Sequence, residues 1–293
     1  MIAVGRKPVP RAIDARAGAE LGSDWRGALA LARDWSAILL AAWAAERLGG
    51  PWAYAAAVAV IGAFQFAIGE ALLHEASHHH LFGSRALNEV FEPLYALPFF
   101  MTLAQFRAEH LAHHRDVGTP RDNLLADYRF IGLLEPRPNM FWLWFVKPWT
   151  GFAAYFYLTK LSLRPAKDGV KIIMFWALAL GAAWKLSALK LLALYWLVPM
   201  AFGHAVWLYW SEIQDHYGTV YGTRTVLGAL NNWLFHNNGY HAVHHAIAWV
   251  PFYNLRRAHA EFVADRGAAA GGDLSTGFLD TYRQLRAFAS AAK

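Results

Sequence analysis

His110-Leu-Ala-His113-His114 (HLAHH) is the stretch that decides how this chain is read. It has two companions, HEASHHH at residues 74–80 and HAVHH at residues 241–245. On a helix, residues i, i+3 and i+4 share a face. His110, His113 and His114 therefore project roughly one way, and His241, His244 and His245 do the same. His74 and His78 form an i, i+4 pair. Neutral imidazole is the commonest side-chain metal ligand, and it suits iron, zinc, copper and nickel. One tetrahedral ion needs about four ligands. Eight clustered histidines exceed that number, so two metal ions are the simpler reading.

Around these clusters the chain is greasy. Hydrophobic residues make up 57% and charged residues 16% of its 293 residues, a balance shifted away from soluble domains toward membrane proteins. The 14 Trp, 12 Tyr and 19 Phe suit bilayer interfaces as well as cores. The net charge of +6 comes from basic residues scattered among apolar runs, without the dense block that nucleic-acid binding calls for. The chain has no cysteine. It therefore has no disulfide, thiolate ligand or iron–sulfur cluster of its own, which fits a reducing compartment. Residues 1–26 carry charges throughout and no apolar core, so no signal peptide is expected there.

Four spans are expected, at 28–45, 52–68, 170–184 and 191–210. Arg33 and Asp34 in the first are expected near the headgroups. Gly49-Gly50-Pro51 breaks the chain before the second, which is expected to continue as one long helix with Glu70, His74 and His78 on one face. The stretch 91–106 is interrupted by Pro93 and Pro98, too short and broken for a simple span, and reads as an interfacial or re-entrant lead into HLAHH. The aromatic stretch 141–163 reads as an interfacial helix, or less simply as a span. Lys plus Arg number six up to Arg33, eleven from His74 to Lys171 and seven in the C-terminal part, against Arg47, Lys185 and Lys190 in the two short opposite loops. Positive residues mark the cytoplasmic side, which places both termini and all three clusters there. The expected fold is an all-α, multi-pass membrane protein of about four spans with a cytosolic histidine-rich cap. Its parts are a polar tail at 1–26, a membrane domain at 27–262 and a C-terminal tail at 263–293 with a flexible Gly/Ala run.

With these residues in view, the chain resembles the membrane-bound fatty acid desaturase and hydroxylase superfamily. The hallmark of that family is three histidine boxes separated by spans. Here they are His74-EAS-His78, His110-LA-His113-His114 and His241-AV-His244-His245. The likeness runs from about residue 50 to 260 and extends beyond the boxes, in HLAHHRDVGTPRDN and NNGYHAVHH…VPFYNL. It implies a further ligand just after the last span, which His216 in WSEIQDHYG matches. The implied metal set is His74, His78, His110, His113, His114, His216, His241, His244 and His245, holding two ferrous ions in a di-iron cap that uses dioxygen. Some relatives place a polar residue four positions before the post-span histidine; here it is Glu212, in place of asparagine. His79 is an alternative first-box ligand to His78.

The resemblance implies desaturation of a fatty acyl or membrane-lipid chain. It also implies a separate electron donor (ferredoxin, rubredoxin or a cytochrome, with its reductase) and a bacterial inner-membrane location with the site facing the cytoplasm. Hydroxylation or ketolation of a lipid, sphingolipid or carotenoid on the same scaffold is the alternative. A metal transporter is a remote one, because apart from His204 the span interiors hold almost no ionisable residue. Glu70, Glu75, Asp116, Asp122 and Asp215 are candidates for orienting ligand histidines from behind, each matched by an ordinary capping or solvated role. For His80, His236 and His259 a structural role is favoured. His204, an ionisable group inside a span, is a functional candidate by position and equally a hydrogen-bonding core residue.

Overall fold

The computed structural model describes residues 23–291. The expected N-terminal tail lies outside them up to residue 22. The main helices are α1 (Asp24–Leu48), α2 (Gly50–Ser77), α3 (Leu103–Asp116), α4 (Ala166–Lys185), α5 (Leu189–Gln214), α6 (His241–Ala246), α7 (Leu255–Arg266) and α8 (Phe278–Ala291). Among the described residues the strands are one parallel pair, β1 (Arg224–Val226) and β2 (Asp273–Ser275), with Thr225 opposite Leu274. The protein is an all-α, multi-pass membrane protein. Its chain divides into two compact units.

The first unit takes in Asp24–Arg107 and Pro148–Tyr209. Gly49 and Gly50 stand at φ +68° and +82°, and Pro51 occupies the first turn of α2. Glycine takes these angles without steric cost, and proline at a helix start loses no hydrogen bond, so the chain reverses here. α2 meets α5 at Gly62 and Gly203, where a Cβ built on Gly62 would stand 2.3 Å from the Gly203 Cα. Such small-residue contacts let backbones approach in the way membrane helices favour. Pro199 supplies no N–H to α5, and wide π-type turns flank it at Ala193–Leu197 and Met200–His204.

Leu39, Leu40 and Trp43 on α1 and Leu178 and Trp184 on α4 are each more than half exposed. Water would oppose so much apolar surface, whereas lipid accepts it.

Three helices, α1, α2 and α5, are long and apolar enough to cross a membrane, where four were expected. α4 forms as a helix of 20 residues, but Lys167, Asp168 and Lys171 occupy its first two turns and Lys185 its end. Every 18-residue stretch of α4 holds three of these charges, against two in the stretch 28–45 of α1, so α4 is not among the three. Asp34 is buried within α1 and bonded to Arg33 at 2.7 Å. The stretch 91–106 is a chain of short turns, Glu92–Tyr95 and Leu97–Phe99, ending at Phe100 with φ +57°. Trp176 Nε1 donates to Leu97 O, Trp196 Nε1 to Pro98 O and Tyr157 Oη to Phe99 O. Irregular backbone in an apolar setting is tolerated only when its polar groups are satisfied by protein, and these three donors do that. The stretch 141–163, expected as one helix, is instead a π-type turn at Trp142–Val146, a 3₁₀ turn at Lys147–Thr150 and a helix at Phe152–Lys160. Pro148 and Gly151, at φ +87°, cause the break.

The second unit consists of the described parts of Ala108–Lys147 and Trp210–Lys293. The stretch from 263 onward, expected as a tail, contributes to its core. β2 pairs with β1, Phe278 packs on Trp144 and Trp210, and Tyr282 packs on Phe145. The Gly/Ala run folds as a tight 3₁₀ turn, Ala268–Gly271, ending at Gly272 with φ +76°. A Cβ there would stand 2.7 Å from Thr223 O, so glycine is what lets β2 reach β1.

Candidate metal centre

The H-x-x-H-H spacing has a consequence that a helical wheel makes plain. Residues i and i+4 differ by about 40° and i+3 and i+4 by about 100°. A tight box therefore splits between two directions. In the second unit, His110 and His114 stand with their ring centroids 4.5 Å apart, and His114 Nε2 lies 3.0 Å from His244 Nε2. His110, His114 and His244 each offer a ring nitrogen, all within 4.8 Å of one another. His113 turns to another group with His216, His241 and His245, whose nitrogens meet the same limit. The two boxes thus exchange members. The i, i+4 pair of α3 takes His244 from α6, and the i, i+4 pair of α6, His241 and His245, takes His113 from α3.

The group of four is the more tightly defined. His113 Nε2 is 3.1 Å from His216 Nε2, His216 Nε2 is 2.8 Å from His241 Nε2, and His241 Nε2 is 3.0 Å from His245 Nε2. The tautomers of two members follow from their outer bonds. His113 Nδ1 faces Asp122 Oδ1 at 3.0 Å, and His216 Nδ1 faces Gly222 O at 2.8 Å. Both oxygens only accept, so each Nδ1 carries the proton and each Nε2 presents a lone pair. Two lone pairs at 3.1 Å repel unless a cation lies between them. Nitrogens about 2.1 Å from one ion stand roughly 3.0 Å apart at right angles and roughly 3.4 Å apart at the tetrahedral angle. The observed spacing matches right-angle ligation, which leaves positions for other ligands. The four residues fit a metal ion.

Burial keeps two of these rings in the ligating state. His216 is lowered to about 3 by burial and then by neighbouring His113. His245 is held well below the usual value by burial and by the four rings around it. Burial alone would raise Asp122, but the His113 ring and the N–H groups of Gly118 and Leu124 outweigh it and hold it below the usual carboxylate range. Among the other carboxylate candidates, Asp116 pairs with Arg115 and Arg121. Asp215 accepts from Ser211 Oγ and Gln214 Nε2, and burial raises it to about 6. Glu212 is in neither nitrogen group; its charge acts on the buried Tyr128 ring, second after burial in raising that hydroxyl.

The loop bearing His216 is pinned by Arg224. This buried guanidinium donates to Gln214 O and to Tyr217 O, and its Nε donates to Gln284 Oε1. Its backbone N–H bonds Asp215 O at 2.7 Å. Nothing in the run Arg224-Thr225-Val226 announces this role, because the partners are carbonyls that any sequence supplies.

In the first unit, His74 and His78 close α2 with ring centroids 5.4 Å apart and nitrogens within 4.8 Å. Burial, then the charges of His74 and its neighbours, lower His78 to about 2. His79 is in the left-handed region at φ +61° and is in neither nitrogen group. His78 is thus the ring that stands against His74. His204 is buried among Phe66, Phe99 and Tyr157 and joins neither group.

The chain is 27% identical over 276 residues to dihydrorhizobitoxine desaturase of Bradyrhizobium elkanii, an alignment covering 83% of this chain and 77% of that protein. The family model described as fatty acid desaturase matches residues 50–272. That span takes in all three boxes and His216, and the chain belongs to the fatty acid desaturase family.

Proposed function

We propose that this membrane oxidoreductase desaturates the acyl chain of a fatty acid or membrane lipid at a pair of histidine-bound ferrous ions. The ligands in this reading are His113, His216, His241 and His245, together with His110, His114 and His244; His74 and His78 complete the set of nine on the family's box spacing. The observation that carries it is the His113–His216 contact, 3.1 Å between two nitrogens that both present lone pairs. Bound iron would supply the dioxygen and one-electron chemistry. In balance, a CH2–CH2 unit, O2, two electrons and two protons give a double bond and two waters. The electrons come from a separate ferredoxin, rubredoxin or cytochrome with its reductase, since the chain has no cysteine for a cluster of its own.

The chain's own residues do the holding. Asp122 fixes the His113 tautomer and ring orientation, and Gly222 O does the same for His216. Burial keeps the His216 and His245 rings neutral. The boxes serve desaturation and hydroxylation alike. The Bradyrhizobium relative, itself named a desaturase, favours the first. The count of basic residues favours the cytoplasmic face of a bacterial inner membrane for the site.

The test is lipid mass spectrometry on a host expressing the wild-type chain or His113→Ala, with electron donors supplied. A product lacking two hydrogens, absent with the variant, is expected. A product gaining oxygen would move the assignment to a hydroxylase. An unchanged lipid profile would count against an acyl substrate.

A further inference from the structure

We infer that the cavity between residues 137–141 and α8 binds a phosphate-bearing anion, foremost the headgroup of an acidic phospholipid. The cavity is about 540 Å³ and lies wholly within the second unit. That volume suits a headgroup-sized ligand. Arg137 and Arg286 both line it, and no Asp or Glu does. Among the described residues neither guanidinium has an ion pair or side-chain hydrogen bond. Among the described residues, two arginines from segments far apart in sequence thus line one space that no carboxylate lines.

The remaining lining sharpens the ligand class. Asn139, also on the lining, accepts at Oδ1 from Trp142 N at 3.1 Å, which leaves its amide hydrogens as donors. Tyr282 adds an aromatic wall steadied against Phe145. Donors from two guanidiniums and an amide suit an anion with several oxygens, and guanidinium binds phosphate by paired hydrogen bonds. A single carboxylate would leave most of them unused.

The surroundings favour lipid over a soluble anion. Phe141, on the lining itself, is 59% exposed, and Trp142 and Phe288 are also exposed. Basic groups beside exposed aromatics are the composition of a bilayer interface. The inference does not depend on the metal site or on the reaction proposed above.

The experiment uses the full chain in phosphatidylcholine micelles doped with phosphatidylglycerol, with co-purified lipid counted by mass spectrometry. Wild type is compared with Arg137→Gln/Arg286→Gln and with Arg256→Gln/Arg257→Gln, which removes the same charge elsewhere. One interfacial charge is worth roughly fivefold in lipid binding. Phosphatidylglycerol enrichment should therefore fall by tenfold or more in the first variant and hold in the second, with histidine-bound metal equal in all three. Inorganic phosphate is titrated in parallel. If it displaces the lipid at millimolar concentration from wild type, and stabilises wild type but not the first variant, the site stands and its phosphate comes from solution. Equal enrichment in wild type and the first variant, or equal loss in both variants, would overturn the assignment.

Discussion

Asp122 Oδ1 accepts from His113 Nδ1 at 3.0 Å while Asp122 Oδ2 accepts from Gly118 N at 3.0 Å. One carboxylate thus fixes both a ligand ring and the turn that follows its helix. Asp122→Asn keeps the size but loses the charge and can present an N–H to His113. Metal affinity and activity should fall roughly 10- to 100-fold, the usual cost of losing such an outer partner, with the helical circular dichroism retained. Asp116→Asn is the contrast. Its partners Arg115 and Arg121 are exposed, so it should cost little stability and leave metal content alone. Metal analysis after dialysis reads both, and equal behaviour of the two variants would refute the role given to Asp122.

The first box offers a sharper contrast. His78→Ala should abolish activity and lower metal content, because His78 is the partner of His74 at the end of α2. His79→Asn should retain both. His79 sits at φ +61°, a region that asparagine adopts readily, so the substitution adds no strain. Loss of metal in His79→Asn with retention in His78→Ala would reverse the ligand assignment.

The box spacing made legible which histidines come together, because helix geometry ties i, i+3 and i+4 to one side of a helix. The same pattern conceals that His113 and His114 serve different groups, since a 100° difference matters only once α6 lies opposite. The all-α membrane fold was legible from composition and from α2 and α5. The span count was not, because Lys167, Asp168 and Lys171 look like flanking charges until α4 is seen to begin at Ala166. The C-terminal stretch misled for a similar reason. Its local polarity is that of a tail, and its place in the core depends on the pairing of Asp273–Ser275 with Arg224–Val226, residues far away in sequence.

Gly62 and Gly203 give a prediction about the membrane helices. A Cβ on Gly62 would stand 2.3 Å from the Gly203 Cα, and one on Gly203 would stand 2.6 Å from the Gly62 Cα. Backbone on both sides leaves no flexible side chain to give way. Gly62→Ala should therefore destabilise by about 1–3 kcal/mol, the usual range for overpacking. Gly181→Ala meets nothing within 4 Å and should be neutral or stabilising by up to about 1 kcal/mol through helix propensity. Thermal midpoints in one detergent check the pair, and an undiminished midpoint for Gly62→Ala would contradict the close crossing.

The buried histidines set the pH dependence of the metal-free protein. His216 falls to about 3 through burial first and His113 second, and His245 lies well below its usual value for the same kinds of reason. The unfolded chain takes up protons on these rings near pH 6.5, whereas the folded chain does not until far lower pH. Between about 3 and 6.5 the unfolded state therefore binds more protons, and stability rises with pH. The thermal midpoint of the metal-free chain in detergent should be flat from pH 8 to 7 and fall steadily below about 6.5. His216→Gln removes one of these groups and should make the fall shallower. Added ferrous or zinc ion should raise the midpoint most at neutral pH, because metal and proton compete for the same nitrogens. A midpoint that holds or rises from pH 7 to 5 would show that these rings are not buried in the neutral form.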